Sequence, residues 1–76
     1  MTGIMGYNRK TNRFGLLVMD LWAIGGFNCG DAIDVWDYDK REWIPTRIEK
    51  THDGIWYLVG TGLRGEALEG LKVRVK

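Results

Sequence analysis

Serine is absent from the 76 residues, and cysteine, histidine and proline occur once each, as Cys29, His52 and Pro45. Without serine there is no Ser nucleophile. A lone cysteine forms no intrachain disulfide, so packing alone must hold the chain together. One His and one Cys also fall short of the three or four N or S ligands a zinc ion takes from a chain. No charge dominates: 11 Lys and Arg face 10 Asp and Glu, a formal net charge of +1. That balance excludes a strongly basic nucleic-acid-binding composition and an acidic tail, while leaving local patches open. The longest plain aliphatic run, Leu16 to Met19, is far below a membrane span, and no signal-peptide pattern is present. The expectation is a reduced, cytoplasmic, soluble domain.

What is abundant is just as informative. Hydrophobic residues make up 45% of the chain, with four Trp, three Tyr and two Phe, which argues against disorder. The length allows one domain, residues 1–76, with a thin core: about 60% of the unfolded surface is buried at this size. A stability of roughly 3–5 kcal/mol follows.

Eleven Gly residues and recurrent turn chemistry cut the chain into short pieces, the spacing of a small all-β barrel or sandwich. Strands are expected over Gly3–Tyr7 and Phe14–Met19, joined by the polar loop Asn8–Arg13. A longer connection, Asp20–Gly30, offers Leu21, Trp22, Ile24 and Phe27 as packing anchors that fold back over the barrel mouth. A three-strand meander follows over Ala32–Tyr38, Trp43–Lys50 and Ile55–Gly60. A hairpin closed at Asp39-Lys40 pairs Val35 with Ile44, Ile33 with Thr46 and Trp36 with Trp43, setting like against like. Asp53-Gly54 signals a type I′ turn, pairing Ile48 with Val59 and Glu49 with Leu58; closing at His52-Asp53 instead shifts the partners but keeps the same faces, with Trp56 and Leu58 opposite the aliphatic one. A 3₁₀ turn between Glu66 and Glu69, ended by Gly70, precedes a last strand with Leu71, Val73 and Val75 inward. Together these predict an SH3-like barrel of about five strands. An OB-type barrel competes, but it normally uses a helix this chain cannot supply.

Several segments resemble a family of short bacterial proteins. They are Cys29-Gly30-Asp31, Trp43–Glu49, Gly54–Gly60 and Leu68–Arg74. The family is a domain of unknown function, found mostly in Gram-positive genomes and often near mobile elements. The resemblance implies a stand-alone small domain in a plasmid, phage or transposon context. It brings no activity and no site residues.

Catalytic and metal chemistries fall away one by one. Cys29 and His52 could form a thiol pair, but nothing brings them together; a buried thiol and a solvated turn histidine are expected. The acidic residues Asp31, Asp34, Asp37, Asp39 and Glu42 fail calcium-loop spacing, since a loop starting at Asp37 puts Arg41 and Glu42 at its fifth and sixth positions. Gly60-Thr61-Gly62-Leu63-Arg64-Gly65 spells G-x-G-x-x-G, yet only 11 residues follow it and no helix can open there. These glycines are expected to permit a tight connection with positive φ. The reading is a domain that is not an enzyme, with no metal and no cofactor.

Two surfaces remain. Trp36, Trp43, Trp56 and Arg47, with Tyr38, Pro45 and Leu58, fall on the face opposite the aliphatic one, a composition typical of interaction hot spots. The bland reading is that these rings are covered by the 20–30 connection, or simply stabilise the sheet as cross-strand pairs. The second surface is basic: Arg9, Lys10 and Arg13 on a loop, with Lys72, Arg74 and Lys76 on the last strand. If the first and last strands are neighbours, these six cations gather into a phosphate-binding stripe; the bland reading is protection of a sheet edge. The expected function is a non-catalytic module binding a protein partner through the aromatic face. Nucleic-acid binding through the basic residues is the alternative.

Overall fold

The computed structural model describes residues 1–76. Seven strands form one antiparallel open sheet in the order β3-β2-β1-β7-β4-β5-β6. They are β1 (Thr2–Asn8), β2 (Arg13–Val18), β3 (Leu21–Ile24), β4 (Ala32–Asp37), β5 (Glu42–Lys50), β6 (Trp56–Leu58) and β7 (Lys72–Arg74), with a 3₁₀ turn over Gly65–Leu68 before β7. The all-β class and the 3₁₀ turn are as expected, but the strands outnumber the expected five or so.

The strand that the pattern hid is β3, inside the 20–30 connection. It pairs with β2 through a two-residue turn in which Met19 and Asp20 both have positive φ, 53° and 64°. That is the backbone of a type I′ turn, made here without the Asn-Gly or Asp-Gly pair that announces one. Of the four expected anchors, Phe27 is buried and Ile24 packs on the core, whereas Leu21 and Trp22 are 73% and 41% exposed. Phe27 donates its backbone N–H to the Phe14 carbonyl of β2, while Gly30 and Asp31 bond to Ile48 of β5. The connection thus crosses from one side of the curled sheet to the other, with Phe27 plugging the interior.

The β4–β5 register is as read from the sequence: Val35 faces Ile44, Ile33 faces Thr46, and Trp36 faces Trp43. The β5–β6 register is not. Ile48 pairs with Leu58, Glu49 with Tyr57 and Lys50 with Trp56. Thr51 and Ile55 close the turn, with Gly54 at φ 92°, so the loop holds three residues and Gly54 takes the left-handed position that follows a type I turn. The Thr51 hydroxyl supports this shape, donating to Asp53 Oδ1 at 2.6 Å and accepting the Ile55 N–H at 2.8 Å. A one-residue shift turns every side chain over. Trp56 and Leu58 therefore point inward, 7% and 1% exposed, and join Ile48 in the core.

One hydrophobic cluster forms the interior: Met5, Phe14, Leu16, Phe27, Ile33, Val35, Ile48, Trp56, Leu58, Leu68 and Val73. Asn8 is the one buried polar side chain. It donates to the Gly25 carbonyl at 2.9 Å and accepts the Lys10 N–H at 3.0 Å, so its amide is used on both sides. Gly60, Gly62 and Gly65 all have positive φ, as the tight-connection reading requires. No helix is long and apolar enough to cross a membrane.

Candidate functional site

The alternation that sends Met5, Leu16, Val35 and Val73 inward sends their neighbours to the outer face of the sheet. Strand registers then line up one row across six strands. Trp22 lies opposite Leu17, Leu17 opposite Ile4, Ile4 opposite Lys72, and Trp36 opposite Trp43. Lys72 links the two halves: continuing the Asp34–Arg74 register places it beside Trp36, and its Nζ is 5.2 Å from the Trp36 ring centroid. Five inter-strand steps of about 4.8 Å give the row a length of roughly 24 Å.

The left end of the row rests on glycine. Gly6 and Gly15 pair directly on this face, and a Cβ on either would meet the Trp22 ring, at 3.5 Å from Gly6 and 3.1 Å from Gly15. Two missing side chains thus make the floor over which the indole lies. The right end is stacked. Trp36 and Trp43 meet edge-on with centroids 5.2 Å apart, and Tyr38 packs against Trp36 at 6.5 Å. Lys72 Nζ also sits 5.8 Å from the Trp43 centroid, and the Arg74 guanidinium sits 4.5 Å from it. Arg74 is in turn held by Asp34, and Arg47 by Glu49 at 3.0 Å. Lys72 has no carboxylate partner. Its charge stands uncompensated in the middle of an aromatic and aliphatic row.

The structure sorts the sequence candidates clearly. Trp36 and Trp43 are half-buried on the outer face, and Arg47 is exposed on the same face but four residues along β5 from Trp43, opposite Ala32. Trp56 leaves the group, because its inward turn puts it in the core. The six cations do not gather. β1 and β7 are neighbours as expected, but Lys76 lies at the Met1 end, where the amino terminus donates to the Val75 carbonyl. Arg9, Lys10 and Arg13 sit beyond the other end of β1, roughly 26 Å from Met1 to Arg9 at about 3.3 Å per residue. Lys72 and Arg74 belong instead to the aromatic face. Cys29 is exposed rather than buried, because the turn at Asn28–Asp31 turns it outward. His52 is exposed in its turn, and no hydrogen bond joins the two. No group of three or more His, Cys, Asp or Glu is arranged to hold a metal ion.

Ile4 and Leu17 were not singled out from the sequence, and Trp22 was expected as a packing anchor rather than an outward ring. Their signal was the outward phase of β1 and β2, readable only once β3 is recognised as a strand.

Fold and surface define a class: a small all-β domain whose open sheet carries an aromatic row with a free cation at its centre. The chain belongs to the family described as a domain of unknown function, DUF5348, whose profile matches residues 3–75. It is also similar to a protein from Ruminococcus gnavus of known crystal structure. The two share 36% sequence identity over 99% of this chain and 100% of that one, with a TM-score of 0.79. No curated protein matches the chain.

Proposed function

We propose that this domain is a non-catalytic interaction module that docks a protein segment on the outer row Trp22-Leu17-Ile4-Lys72-Trp36-Trp43. The observation that carries the reading is the uncompensated Lys72 between two apolar halves. The matching partner presents a carboxylate flanked by apolar side chains. Trp and Arg dominate interaction hot spots, and a contiguous apolar band on an exposed sheet face is unusual unless something covers it. The stacked cations and the Asp34–Arg74 pair order the surface in advance, which lowers the entropy lost on docking.

Nucleic acid fits this face less well. The flat faces of Trp36 and Trp43 are approached by Lys72 and Arg74, so a stacking base must displace them. Both Arg side chains on the face are paired with carboxylates, leaving little charge for phosphates. We also propose that the sheet is an SH3-like barrel elaborated by β3, a reading supported by the Phe27 plug between β2 and β5.

The test is capture from native lysate, with and without nuclease, using the wild type, Trp22→Ala and Lys72→Glu. The reading expects a nuclease-resistant protein partner that both variants lose while remaining folded. Nucleic acid as the sole retained partner overturns it, as does undiminished capture by the variants.

A further inference from the structure

A second concave surface lies away from the outer face. An open groove of about 540 Å³ runs between the β1–β2 side and the β5–β6 turn, lined by Tyr7, Phe14, Ile55 and Trp56 together with Arg9, Glu66 and Glu69. Its walls are aromatic and aliphatic: Tyr7 and Phe14 meet edge-on at 5.2 Å, and Ile55 is half-exposed beside the buried Trp56. The face of Trp56 is also approached by Lys50 Nζ, at 5.2 Å from its centroid.

The rim carries the chemistry. Glu69 Oε1 accepts the Tyr7 backbone N–H at 2.6 Å, which anchors that carboxylate at the groove rim with Oε2 on the Gly6 side. Glu66 lies three residues earlier on the 3₁₀ turn and makes no ion pair. Arg9 lines the same groove but bridges to neither carboxylate. Two anions and one cation leave the groove with a net negative charge, and the anions lack a positive partner.

We infer that this groove receives the cationic side chain of a Lys or Arg residue from a peptide segment. The aliphatic stem would pack on Tyr7 and Ile55. The charged head would meet Glu66 and Glu69 at the rim, where carboxylates favour an ammonium or guanidinium over a neutral group. An anionic ligand is disfavoured by the same carboxylates. The groove shares no residue with the outer row, so this inference stands apart from the proposed function.

The probe is the blocked tripeptide acetyl-Ala-Arg-Ala-amide, titrated into ¹⁵N-labelled protein up to millimolar concentration. Its controls carry norleucine or glutamate in place of arginine. Saturable shifts are expected at Tyr7, Ile55, Glu66, Glu69 and the Trp56 indole. Affinity for the norleucine and glutamate peptides should be lower by about tenfold or more, the worth of one charge-assisted bond. Glu66→Gln should weaken arginine binding severalfold, and Glu69→Gln should do so with folding preserved, because its amide oxygen still accepts the Tyr7 N–H. Absence of saturable shifts in the groove, equal binding of the norleucine peptide, or indifference to both Gln variants overturns the inference.

Discussion

Arg74 donates from Nε and Nη2 to one carboxylate oxygen of Asp34, at 3.1 and 2.8 Å, while its guanidinium lies 4.5 Å from the Trp43 ring centroid. A single side chain thus ties β7 to β4 by charge and to β5 by stacking. The pair is partly exposed, with 41% and 17% of the two side chains accessible, so its worth is screened by solvent.

Asp34→Asn should therefore lower stability by only about 0.5–1 kcal/mol. Its larger effect should be on the surface. Arg74 becomes free to leave Trp43, and intrinsic tryptophan fluorescence should shift to longer wavelength in the folded state. Chemical denaturation and emission spectra of the two proteins check both parts. An unchanged spectrum would mean that Asp34 does not position Arg74.

The β2–β3 turn carries removable strain. Met19 and Asp20 hold positive φ without being Gly or Asn, and Met19 is 91% exposed, so nothing is lost by changing it. Replacing the two with Asn-Gly should stabilise the domain by about 1 kcal/mol. In a domain of this size that raises Tm by roughly 4–8 °C, which a thermal melt measures.

The glycine floor should be intolerant, to different degrees. A Cβ on Gly15 would collide with the Ile24 carbonyl oxygen, a backbone atom that cannot step aside. A Cβ on Gly6 would meet Leu17 Cδ1 at 2.9 Å, the end of a side chain that can rotate. Gly15→Ala is thus expected to cost well over 1 kcal/mol, and Gly6→Ala less. Denaturant midpoints for the two variants give the order.

These cases show what the sequence could and could not disclose. The β4–β5 pairing was legible because Val35, Ile44, Trp36 and Trp43 allow only one like-with-like register. β3 was hidden because Met19-Asp20 makes a turn normally announced by glycine. The inversion of β6 arose from Thr51, whose hydroxyl supports a three-residue loop where Asp53-Gly54 alone suggests two. With that slip, Trp56 changed sides. Of the outer row, Trp36 and Trp43 were visible as an outward pair. Their stacking with Lys72 and Arg74 depends on β7 lying beside β4, a non-local neighbour that no local pattern encodes.

Thr51 also sets a titration. The hydrogen bond from its hydroxyl, followed by one to backbone, holds the Asp53 carboxyl below its ordinary 3.8. A depressed carboxyl contributes stability that is full above its unfolded-state value and is lost as pH falls through its folded-state value. In Thr51→Val the Asp53 carboxyl should titrate closer to 3.8, and the pH-dependent part of its contribution to the turn should shrink. A carboxyl ¹³C shift titration resolves this; an unmoved midpoint would assign the depression to another cause.

The central claim, that the outer row is a docking surface for protein, is tested most directly by site-specific photocrosslinking in cells. A benzophenone side chain at Pro45, opposite Asp34 on the outer face, is compared with one at His52, exposed in the distant β5–β6 turn. The account predicts one discrete protein adduct from position 45, abolished by Lys72→Glu, and none of the same mass from position 52. Equal adducts from both positions, or an adduct from 45 that persists with Lys72→Glu, would contradict it.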